Sequence, residues 1–70
     1  MSIFTTAMRE RKAFAIAQYI RSSAFTPAQV EGFGVAQWDE CARCAGQLAP
    51  SGETIALAIQ VLQDMEEASK

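Results

Sequence analysis

Apolar residues along this chain recur at helical rather than strand spacing. Over "AMRERKAFAIAQYIRSS", steps of 100° place Ala13, Ile16, Ala17, Tyr19 and Ile20 on one side with Met8 at its edge, which predicts an amphipathic helix from about residue 3 to residue 22. In "FTPAQVEGFG", Thr26 suits an N-cap, Pro27 the first helical position, and Gln29 completes a capping-box spacing before Gly32, so a helix of one or two turns is expected. Val35, Trp38, Cys41, Ala42 and Ala45 keep one face of a third helix, with Gly46 placed where a left-handed C-cap residue belongs. After "QLAP", Ser51 predicts the N-cap of a last helix. Glu53 stands in its positive first turn, and Ile55, Ala58, Ile59, Val61, Leu62 and Met65 form its apolar face. The expected fold is all-α, a single domain over residues 1–70 built as a small bundle of three to four short helices. The first and last helices are expected to form the core against Trp38.

The first helix carries a second pattern. Phe4, Ala7, Arg11, Phe14, Gln18 and Arg21 follow alternating spacings of three and four, which draws a stripe roughly opposite Ile16 and Ile20. An aromatic in the middle of a face otherwise made of Arg and Gln has the composition of an interaction hot spot. Phe4, Arg11, Phe14, Gln18 and Arg21 are therefore the candidate protein-interaction residues. The competing reading covers Phe14 with a fourth segment, since Phe25 and Phe33 also need burial, and both readings stay open at this point. The basic run Arg9, Arg11, Lys12, interrupted by Glu10 and followed by Arg21, reads otherwise as a solvated helix face, and the acidic stretch "DMEEASK" as a solubilising end.

Composition narrows the function. Seventy residues, half of them apolar and a fifth charged, make one globular domain with a small core. With no histidine, the commonest general base and the commonest metal ligand are both missing, so an enzyme is not expected and no cofactor is implied. A net charge of −2 gives no overall attraction to phosphate backbones, so nucleic acid is an unfavoured partner. No apolar run approaches the roughly 20 residues that span a bilayer, and "MSIFTTAMRERK" has no apolar core typical of a signal peptide; no membrane association and a cytoplasmic location are expected. A small chain with two apolar helix faces is also expected to self-associate, as a homodimer.

Two short patterns invite chemistry. "CARC" has the spacing of a redox or zinc pair, but Cys41 and Cys44 fall in the last turns of a helix, where the negative dipole end disfavours a thiolate, and a zinc shell needs four ligands. Packing is the expected role, with Cys41 in the core beside Trp38 and Ala42 and Cys44 at its margin. The segment from Pro27 to Ala45 has the outline of a helix-turn-helix, which supplies the alternative function of a small DNA-binding regulator. The start of its second helix would then aim Gln37, Asp39 and Glu40 at DNA, and two carboxylates there oppose phosphate.

The C-terminal half, "WDECARCAGQLAPSGETIALAIQVLQ", joins a Trp-led, Ala-rich helix through a Pro-Ser link to one closing amphipathic helix. In this it resembles the small helical proteins encoded by phages and other mobile elements, among them anti-CRISPR and other host-takeover inhibitors. The resemblance implies binding rather than turnover, by occupying a surface of a bacterial protein complex, and it transfers no functional residue.

Overall fold

Two long helices, α1 (Ile3–Ser22) and α4 (Gly52–Ala68), lie side by side, and two shorter ones, α2 (Pro27–Glu31) and α3 (Val35–Cys44), carry the chain between them. The computed structural model describes residues 3–69, with side chains from residue 7 onward. The expected all-α architecture is observed, with no strand among the described residues. Direction follows from the contacts at the helix ends. Arg9, early in α1, pairs with Glu53 in the first turn of α4 at 2.7 Å, and Arg21, in the last turn of α1, donates a hydrogen bond to Ser69 Oγ just beyond α4. The two helices therefore run the same way. A parallel pair requires the chain to travel back along the whole of α1, about 30 Å for a helix of this length. The segment holding α2 and α3 makes that return, α3 packing on α1 and α2 on α4.

Local chemistry sets the boundaries. At α2 the Thr26 side chain accepts from the Gln29 amide while the Gln29 side chain accepts from the Thr26 amide at 2.8 Å, so the capping box is complete. The end of α3 is a Schellman motif: Gln47 N–H donates to the Ala42 carbonyl at 2.8 Å and Gly46 N–H to that of Arg43 at 3.0 Å, with Gly46 at φ 77°. The same geometry closes α1, where Ala24 N–H donates to Arg21 and Phe25 N–H to Ile20, but the left-handed position is held by Ala24 at φ 65°. Ser51 caps α4 by accepting from the Thr54 amide.

A single cluster forms the core. Ala13, Ile16, Ala17 and Ile20 of α1 meet Val30 of α2, Trp38, Cys41 and Ala42 of α3, and Ala58 and Leu62 of α4. The radius of gyration of 11.5 Å is near the roughly 11 Å expected of a compact chain of this length. Phe25, Phe33 and Trp38 stack edge to face in series, with centroids 5.2 and 5.5 Å apart, and this aromatic row closes the end of the core. Phe25 and Phe33 are thus half-buried against each other and Trp38, and leave Phe14 uncovered.

Three placements differ from the sequence reading. Val35 is 76% exposed although its spacing matches the α3 core face, because it begins the helix and projects past the edge of the core. Met8, expected at the margin of the α1 core face, is 56% exposed. Cys44 is exposed rather than marginal to the core, and its thiol points to the Glu40 carboxylate at 3.9 Å. In the other direction, Thr54 is buried, its hydroxyl 3.1 Å from that of Ser51.

Candidate protein-interaction surface

The buried side of α1 is made of Ala13, Ile16, Ala17 and Ile20, and the helical repeat therefore turns Arg11, Phe14, Gln18 and Arg21 outward. All four are exposed, as is Ala7 on the same stripe, and Phe14 keeps 48% of its surface in solvent. Phe4 belongs to α1 by its backbone, and its side chain lies outside the described residues. The structure thus brings together four of the five sequence-predicted residues on one open helix face.

The basic run of α1 divides into two pairs with different jobs. Arg9 is spent on Glu53 and Lys12 Nζ donates to the Ala49 carbonyl at 3.2 Å, so this pair fastens α1 to the link before α4 and to the start of α4 itself. Arg11 and Arg21 face outward with Phe14. Among the described residues, neither makes an intrachain ion pair. Arg21 gives one donor to Ser69, and its side chain is otherwise exposed. Charge is segregated on the whole molecule as well. Helix α1 holds Arg9, Arg11, Lys12 and Arg21 against Glu10 alone, while the other seven acidic residues lie elsewhere in the chain.

Beside the stripe lies an open groove of about 900 Å³ between the C-terminal halves of α1 and α4 and the end of α3, lined by Ala15, Gln18, Tyr19, Arg21, Ala45 and Met65 among others. Sequence reasoning missed it because its walls come from three helices that meet only in the fold. Gln18 and Arg21 belong to both the stripe and the groove, so the two surfaces are continuous. On the groove wall, the pKa of the Tyr19 hydroxyl is raised above its ordinary phenol value, chiefly by the neighbouring Cys44 thiol.

Burial pushes the Cys41 thiol up from its usual value, against a weaker opposing hydrogen bond from Gln37, whose Nε2 lies 3.8 Å from the sulfur. Such a thiol is a poor nucleophile. Among the described residues no three Cys, Asp or Glu side chains converge in a way that holds a metal ion, and no helix is long and apolar enough to cross a membrane. Helices α2 and α3 do follow one another in helix-turn-helix order, but the exposed residues they offer include Glu31 and Glu40, with Asp39 half-buried beside them. No family model matches the chain, and no curated protein or solved structure matches it either.

Proposed function

We propose that this chain is a non-catalytic protein-binding module whose recognition surface is the outer face of α1, with Phe14 as the apolar anchor and Arg11, Gln18 and Arg21 as its polar surround. The observation that carries this reading is the exposure of Phe14, 48% open in the middle of a face otherwise made of arginine, glutamine and alanine. The resemblance to small phage-encoded inhibitors supports the same mode of action, in which the module occupies a surface of a host protein complex. An acidic, partly apolar patch on that partner would complement the stripe, because α1 has most of the cations and little of the opposing charge.

The reading is tested at Phe14. Exchange to Asp removes an anchor worth about 1.5–3 kcal/mol when buried in a partner and sets a carboxylate in the contact. Phe14→Asp is expected to retain the circular dichroism of the parent, since the side chain lies outside the core, and to lose at least about tenfold in affinity for proteins captured by the parent from source-cell extract. Arg11→Ala should weaken capture less and leave the melting temperature nearly unchanged. If both variants capture every partner as tightly as the parent, α1 is not the recognition surface.

A further inference from the structure

The stripe on α1 has a symmetry that a foreign partner does not require. Around Phe14, Arg11 stands three positions before and Gln18 four after, while Ala7 stands seven before and Arg21 seven after. A second α1 laid antiparallel across the first at Phe14 therefore sets Arg11 opposite Gln18 and Arg21 opposite Ala7 in both directions. A cation meets an amide oxygen in one place and a small side chain in the other. Parallel pairing would stack Arg11 on Arg11 and Arg21 on Arg21.

The edges of the stripe agree with the same operation. Glu10 and Arg21 are eleven positions apart, close to three helical turns, and so share one edge. An antiparallel twofold pair places like edge against like edge, which brings Glu10 within about 4.5 Å, measured along the axis, of the second copy's Arg21. Among the described residues Glu10 has no ion-pair partner in its own chain. Met8, six positions before Phe14 and so about 120° around the helix from it, faces away from this contact.

We infer that α1 pairs antiparallel with α1 of a second copy of this chain, crossing at Phe14, with Glu10 facing Arg21. One operation thereby covers Phe14 and supplies Glu10 with a cation. The inference rests on the reading of the α1 stripe as an interface and names its occupant in the free protein. A single helix face offers less than the roughly 800 Å² per partner of a standard interface, so the dimer belongs to the weak, exchangeable class and yields the stripe to a tighter partner.

Sedimentation equilibrium of the full chain between about 10 and 500 µM covers the range of a weak interface. The parent's mass is expected to rise from monomer toward dimer. Arg21→Glu and Glu10→Arg should each weaken association about tenfold, because the twofold repeats each change, and the two together should return it to within about threefold of the parent. Should Arg21→Glu lose helicity by circular dichroism, Arg21→Gln and Glu10→Gln make the same comparison, the double variant being no weaker than either single one. A monomer mass at every concentration overturns the pairing, and so do single charge reversals that weaken association with no recovery in the double. A monomeric chain whose capture of other proteins still depends on Phe14 overturns the self-pairing alone and leaves the α1 recognition surface standing.

Discussion

At the scale of single residues, the least comfortable backbone among the described residues is that of Ala24. It occupies the left-handed position of the Schellman motif that ends α1, at φ 65°, while the equivalent position after α3 is Gly46 at φ 77°. A Cβ in that region crowds the following carbonyl at a cost of about 1–2 kcal/mol, part of which is offset because glycine has more freedom to lose on folding. Ala24→Gly is therefore expected to stabilise the domain by about 0.5–1 kcal/mol, raising the melting temperature by a few degrees for a chain of this size. An unchanged or lower melting temperature would show that the strain is absent or that Ala24 makes packing contacts of equal worth. Two other residues are separated by environment rather than identity. Cys41 is enclosed, next to Trp38 and Ala42 in the core, and Cys44 is in solvent beside Glu40. The spacing placed Cys41 in the core and Cys44 at its margin; three residues leave a net offset of about 60°, and because Cys41 already lies to one side of the buried face the further step carries Cys44 into solvent.

At the scale of elements, stability gathers where helix ends meet buried groups. Ser51 is the clearest case, since its hydroxyl accepts from the Thr54 amide at 3.3 Å and lies 3.1 Å from the hydroxyl of Thr54, a buried polar side chain. Removing that oxygen strips a cap and leaves a buried hydroxyl without its neighbour. Ser51→Ala should cost about 1–2 kcal/mol in urea unfolding, and Ser51→Asp, which keeps an acceptor at the positive end of α4, should cost much less. Equal losses for the two substitutions would argue against the cap as the cause. Such ends were legible in the sequence because a cap is written in neighbouring residues: Thr26 with Gln29, Ser51 before Glu53, Gly46 after Cys44. The open stripe on α1 was legible for the same reason, being a matter of period along one helix. Hidden from the sequence were features that depend on two elements meeting. The assignment of Arg9 and Lys12 to fastening and of Arg11 and Arg21 to the surface follows only once α4 and Ala49 lie against α1. The groove needs α1, α3 and α4 together. Val35 obeys the period of α3 and still faces solvent, because periodicity says which face a residue shares and not how far the neighbouring helix extends.

At the scale of the whole molecule, the parallel arrangement of α1 and α4 makes the fold depend on contacts between distant parts of the chain. Arg9 meets Glu53 and Arg21 meets Ser69, so neither long helix has its principal partner nearby in sequence. The core they share also contains Val30 and Trp38 from the returning segment, and among the described residues no helix keeps a separate apolar cluster of its own. A helix the length of α3, or even of α1, is marginal in water without such packing. Loss of any one element should therefore release the others, and unfolding should be all-or-none. Trp38 provides the means to check this. It is the only tryptophan, almost fully buried, and it touches the aromatic row through Phe33, so its emission reports the α2–α3 end of the core, whereas circular dichroism is dominated by α1 and α4. The two signals are expected to follow one urea transition with the same midpoint and a slope of about 1 kcal/mol/M, at the low end for small domains because little surface is exposed. A red shift of Trp38 at lower urea than the loss of helicity would mean that α2 and α3 detach while α1 and α4 still hold each other. In that case the return segment would be a cover on a two-helix core, and the stability of the outer face of α1 would be independent of Trp38.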